Sequence, residues 1–273
     1  MERQRPSRGQ VAWGLLGAAA AAWFAVWMLF FPDLVAGTFA WDVHPRYAMA
    51  FIGAGYIFRT AFFLNAAREG DWIRLRWIVW GNLVFTGTLL LATYWHADEF
   101  NWDPFRTVGH LWLVLYIFEP VVMIYLIPRG TFSLTAPPTG GPLHPVTKGF
   151  FVLLTGVLLM HGLLLVINPE FAATRWAWEL NPLDARMVAA WFLGWAVWLG
   201  TMAFALDWDE VRRAVQLFLL NGIALLATVV IFRDDFVPGK NLIIGYGGDL
   251  ALMTGIMLAL YVVQERRRPA PYA

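Results

Sequence analysis

Eight stretches of about twenty apolar residues dominate this chain, near 11–31, 47–66, 73–95, 107–128, 149–167, 186–206, 211–232 and 242–264. A bilayer core about 30 Å thick takes roughly 20 residues of α-helix, so each stretch has the length of a membrane span. The runs are continuous, whereas a membrane barrel would show alternating segments of about ten residues. Composition agrees: 59% of the residues are hydrophobic and only 14% charged, against about 25% charged in a soluble domain. A formal charge of +1 and this deficit of ions exclude a nucleic-acid binder, a disordered chain and an ordinary cytosolic enzyme. Without cysteine, disulfides, thiolate metal sites and cysteine nucleophiles are excluded too. The lipid bilayer is the first expected partner.

Orientation is read from Lys and Arg in short loops. With both termini inside, the inner segments hold 13 of the 20 basic residues and the outer segments six; the twentieth, Arg59, lies within a span. The expectation is an inner (cytoplasmic) membrane protein, multi-pass, with both termini cytoplasmic. The first apolar run is too long for the core of a cleavable signal. Arg outnumbers Lys 18 to 2, which points to a GC-rich bacterial genome.

An internal duplication organises the spans. Residues 32–48 and 169–185 both fit Pro-acid-x-x-Ala-x-x-aromatic-Ala-Trp-acid-x-x-Pro-x-x-Ala. Trp41 and Trp178, and Pro45 and Pro182, are each 137 apart, and Asp71-Trp72 meets Asp207-Trp208 at 136. The fold class is therefore an all-α integral membrane protein of eight transmembrane helices. They form two parallel four-helix repeats, 11–128 and 149–265, related by a pseudo-two-fold axis along the membrane normal. The Pro/Gly-rich segment 129–148 reads as a cytoplasmic linker. In the outer motif, Asn168-Pro169-Glu170 predicts a cap and a short surface helix ending near Trp178. Asn181-Pro182 starts the sixth span, and His44-Pro45 does the same for the second. Trp41 and Trp178 are expected at headgroup level, and Asp42 and Glu179 beside them on the outer face.

Sixteen tryptophans read mainly as belt and packing residues. Trp13, Trp72, Trp77, Trp95, Trp102, Trp176 and Trp208 fall near span ends, and Trp23, Trp191, Trp195 and Trp198 deeper. The outer carboxylates with His44 and His96 show no metal-ligand spacing, and no metal or cofactor is expected. His110 and His161 offer an alternative, a haem held by two imidazoles. No span contains a lysine, so a retinal Schiff base is excluded. Phosphate loops, HExxH and GxSxG are absent. The chain carries no catalytic signature, and an enzyme is the weaker reading. Gly53-Ala54-Gly55 marks close helix packing.

Six polar residues fall inside the spans: Arg59, Asn82 and Glu119 in the first half, His161, Asn221 and Asp249 in the second. Ionisable groups at membrane depth face a partner or a cavity. Counted from the outer ends at 1.5 Å per residue, Arg59, Asn82 and Glu119 reach one level, which predicts an ion pair of Arg59 with Glu119 and Asn82 as its third member. Asp249 and His161 lie shallower. Counting at a constant offset puts Ala196 and a position near Gly255 where Arg59 and Glu119 stand, so the halves share a scaffold but not its polar groups. The leading functional expectation is a small transporter or ligand-binding permease with an outward-opening site between the repeats. The alternatives are a non-catalytic subunit or scaffold of a larger membrane complex, with other membrane subunits or further copies as partners, and a haem-binding or other membrane enzyme.

Overall fold

The computed structural model describes residues 6–70, 72–130, 140–237 and 242–269, and these are helical with no strand. In chain order the helices are α1 Arg8–Phe30, α2 Pro32–Thr38, α3 Arg46–Arg68, α4 Trp72–Trp95, α5 Gly109–Gly130, α6 Pro145–Ile167, α7 Pro169–Ala173, α8 Pro182–Met202, α9 Trp208–Ile231 and α10 Leu242–Arg267. A 3₁₀ turn, Arg233–Asp235, follows α9. Among the described residues five helices, α1, α3, α6, α9 and α10, are long and apolar enough to cross a bilayer, as a helical membrane protein requires. Helices α4, α5 and α8 are of similar length, 24, 22 and 21 residues.

Local chemistry sets the helix ends. Ser7 accepts from the Gln10 amide, Asn168 from Phe171, Asn181 from Asp184 and Asp207 from Asp209, each satisfying an amide that the first turn leaves without a partner. Prolines fill the first position of α2, α6, α7 and α8, where the missing N–H costs nothing. Asn181 starts α8 four residues before the span expected at 186, and the helix stops correspondingly early, at Met202. Helix α7 ends at Ala173, well short of Trp178. His44 is not a cap: α3 begins after Pro45 with no side-chain cap, and His44 instead pairs with exposed Asp42 at 2.9 Å.

One arrangement of contacts occurs in both halves. Helix α1 packs on α3 as α6 packs on α8; α4 packs on α5 as α9 packs on α10; α4 packs across on α8 as α9 packs across on α3. Helices α3 and α8 are buried along most of their length, while α10 leaves most of its apolar surface uncovered. The central packing is tight because glycine permits it. A Cβ on Gly55 would lie 2.5 Å from the Trp191 ring, and one on Gly81 only 1.7 Å from Trp198 Cδ1. Both contacts lock one half against the other.

The segments after α2 and α7 fold inward over the bundle. Trp41 and Trp178 are therefore buried within the protein. Trp41 packs on Phe39, Phe100 and Trp112; Trp178 packs on Tyr47, Phe236 and Tyr246. A backbone hydrogen bond ties each segment down, Asn101 N to Ala40 O at 2.7 Å and Val237 N to Ala177 O at 3.1 Å. Trp208 is also buried, its Nε1 donating to Glu265 at 2.6 Å, whereas Trp23 faces outward. Trp102 Nε1 donates to Ala97 O, Arg186 lies over the Trp95 ring, and Trp13 packs on Phe62 and Phe63. The side chains of Trp72 and Trp77, and residues 131–139 of the expected linker, lie outside the described residues. The end of the linker is fastened to the α8–α9 turn: Asp207 accepts from Gly140 N at 3.0 Å, and Trp208 N donates to Gly141 O at 2.9 Å. Gly141 has φ +82, a conformation that suits glycine.

Candidate functional site

The six intramembrane polar residues fall into two places of opposite character. In the first half, Arg59 on α3 donates through Nη2 to both Glu119 oxygens at 2.5 Å and through Nη1 to Asn82 Oδ1 at 2.6 Å. Asn82 Nδ2 closes the ring on Glu119 at 2.8 Å. The contact anticipated from depth counting is present, and all three side chains are buried. The faces of Phe63 and Phe85 lie 5.1 and 4.7 Å from the guanidinium carbon, so the cation has aromatic as well as anionic partners. Beside it the Tyr56 and Tyr116 hydroxyls share a 2.6 Å hydrogen bond, a pairing that sequence reasoning missed. With both Glu119 oxygens and both ends of the Asn82 carboxamide engaged, this cluster ties α3, α4 and α5 together. Proline at 120 does not interrupt it, and α5 runs on to Gly130.

The second half is open where the first is filled. A cavity of about 540 Å³ lies between the α6–α8 pair and the α9–α10 pair, under the α7 segment. That volume is within the range of small-molecule sites. His161, Asn221 and Asp249 all line it, and Arg59 does not; Phe51 is its one lining residue from the first half. The cavity thus lies within the second half, not between the halves as the sequence suggested. Its walls are aromatic and aliphatic, with Trp176, Phe192, Trp195, Phe218 and Tyr246 among them.

Three polar atoms of the residues around this cavity lack partners. Asn221 is 4% exposed, and its Oδ1 accepts no hydrogen bond. The buried Nε1 atoms of Trp176 and Trp195 have no acceptor. An unpaired polar atom in a low-dielectric interior costs about 1–3 kcal/mol, so these three atoms are a cost to the fold. His161 Nδ1 lies 2.8 Å from Val157 O. A carbonyl only accepts, so Nδ1 is the donor in this contact. Asp249 is exposed in its span. Arg175, at the outer rim, lies over Phe171 at 4.7 Å.

The structure gives the two haem candidates separate surroundings. His110 on α5 is exposed and meets Trp102 edge-on; His161 on α6 meets Trp176 and Phe192. Among the described residues no group of three His, Asp or Glu side chains is placed to hold a metal. The outer polar residues serve the joint between the halves: Trp41 Nε1 donates to Asp184, and Arg186 of α8 reaches His96 Nε2 at 2.6 Å while His96 Nδ1 meets Glu99, also at 2.6 Å. Within the repeated motif, Asn181 and Pro182 start α8, Pro45 precedes α3, and Glu179 is exposed.

Comparison with protein-family models, with curated proteins and with solved structures finds no match to this chain.

Proposed function

We propose that this chain is an eight-span membrane protein built from two parallel four-helix repeats, whose second repeat binds a small amphipathic molecule in the membrane, as a permease or ligand-binding subunit does. The observation that carries the binding reading is the cavity of about 540 Å³ lined by His161, Asn221 and Asp249 within an otherwise aromatic and aliphatic wall. The excess of basic residues in the inner segments supports placing both termini in the cytoplasm.

Recurring side-chain contacts support the repeat. Phe24 lies 6.1 Å from Phe39 and 5.1 Å from Tyr56; His161 lies 6.3 Å from Trp176 and 6.0 Å from Phe192. Phe24 and His161, and Phe39 and Trp176, are 137 apart, while Tyr56 and Phe192 are 136 apart. The register therefore slips by one within α3 and α8, and the residue in the place of Arg59 is Trp195 rather than Ala196. On α5, Trp112 and Tyr116 complete the aromatic packing of the first half, 4.3 Å from each other. Positions 137 further on are Asp249 and Met253. Loss of two large rings is the physical origin of the cavity.

Ten-carbon probes carrying a photoactivatable diazirine, with hydroxyl, carboxylate or amine heads, test the binding reading. Purified protein in phosphatidylcholine nanodiscs is expected to give saturable adducts on Leu158 and Met253 with at least one head. Met253→Trp, which restores bulk to α10, is expected to abolish them. Adducts confined to outward-facing Leu163 and Val262 with all three heads would refute a binding cavity.

A further inference from the structure

We propose that a phosphate group binds where residues 140–144 meet the start of α6 and the end of α10, at a second site separate from the larger cavity. A pocket of about 240 Å³ lies there. Its polar side chains are His144, Gln264 and Arg267, and no acidic residue lines it.

Each of these side chains brings a donor. Gln264 is 2% exposed, and its Oε1 accepts from His144 N at 3.0 Å. Its Nε2 makes no hydrogen bond among the described residues. Unlike the sealed atoms around the larger cavity, this nitrogen keeps accessible surface, and Gln264 lines the pocket. Val146 N donates to His144 Nδ1 at 3.3 Å, so Nε2 is the donor nitrogen of that ring. Arg267 is exposed and forms no ion pair among the described residues. Helix α6, 23 residues long, begins at Pro145 on this wall with no acid in its first turn, and the positive end of its dipole adds to the same field.

The carboxylates around the pocket are engaged elsewhere. Asp209 pairs with Arg268 at 2.9 Å and Glu265 with Arg212 at 2.6 Å, while Asp207 accepts the Gly140 and Asp209 amides. A guanidinium, an amide nitrogen, an imidazole N–H and a helix start offer more donors than the two oxygens of a carboxylate can use. They match the three or four oxygens of a phosphate. That chemistry is the same for the free ion and for a lipid head group, which basic pockets beside membrane helices also take.

Calorimetric titration of the full chain in phosphate-free dodecyl maltoside tests the site, with inorganic phosphate, dioctanoyl phosphatidate and dioctanoylglycerol as probes. One site per chain that depends on Arg267 is expected for at least one of the two phosphates. Tighter binding of phosphatidate assigns it to a lipid head group; equal or tighter binding of inorganic phosphate assigns it to the free ion. Arg267→Gln should weaken that binding about tenfold or more at an unchanged melting temperature. Gln264→Glu keeps the acceptor for His144 N, replaces the donor with a carboxylate oxygen, and should weaken it at least as much. Arg213→Gln, at an exposed arginine that does not line the pocket, should leave it unaltered. Dioctanoylglycerol, which lacks the phosphate, should bind Arg267→Gln no less well than the parent chain. Absence of binding by both phosphates overturns the proposal. So does phosphate binding that survives Arg267→Gln, that falls equally in Arg213→Gln, or whose loss dioctanoylglycerol shares.

Discussion

The indole N–H of Trp41 donates to Asp184 Oδ1 at 2.9 Å across 143 positions of chain, and the other oxygen of that buried carboxylate has no partner. The bond joins the inward-folded loop of the first half to the first turn of α8. Trp41→Phe keeps most of the ring packing and removes the donor. It is expected to lower unfolding free energy by about 1–3 kcal/mol, read as a shift of the unfolding midpoint in bicelles.

The Arg59 cluster makes a sharper claim. Removing one partner of a buried pair leaves the other charge uncompensated, at about 3–5 kcal/mol. Arg59→Met and Glu119→Leu should each cost about that much, and the double variant should be no worse than the poorer single one. Additive losses in the same unfolding measurement would mean that the two side chains act independently. Asn82→Leu should weaken the protein too, by the smaller amount of a neutral partner.

At the α8–α9 turn, Asp207 both caps α9 and receives the Gly140 amide. Asp207→Ala is expected to destabilise by about 0.5–2 kcal/mol. Limited proteolysis of the variant should cut faster between 130 and 145 than in the parent chain.

Topology has a direct measurement, because the chain has no cysteine of its own. An impermeant maleimide should label Thr38→Cys and Thr174→Cys in intact cells, and Arg266→Cys only after permeabilisation. The reverse pattern would invert the proposed orientation.

Much of the helical layout was legible because each apolar run is as long as a bilayer is thick, and depth counting alone placed Arg59 level with Glu119. The fate of Trp41 and Trp178 was not. A tryptophan near a span end suits both an interface and an inward-folded loop, and only the three-dimensional course of residues 39–43 and 176–180 separates them. The cavity was also hidden. His161, Asn221 and Asp249 stood out as polar, but nothing local reveals that they line one cavity, because they stand on three different helices, α6, α9 and α10. The tie from Arg186 to His96 joins residues 90 apart and carries no spacing signal.

The glycine at position 81 has a mechanical consequence. With the Trp198 indole seated where its Cβ would be, α4 and α8 interlock like a key in its slot, and sliding either along the other would drive the indole into backbone. Gly55 and Trp191 form a second such lock on α3. A carrier that works by rocking one half against the other needs a smooth joint at this seam, and this chain has a toothed one. The two locks hold α8, one wall of the cavity, fast against α3 and α4.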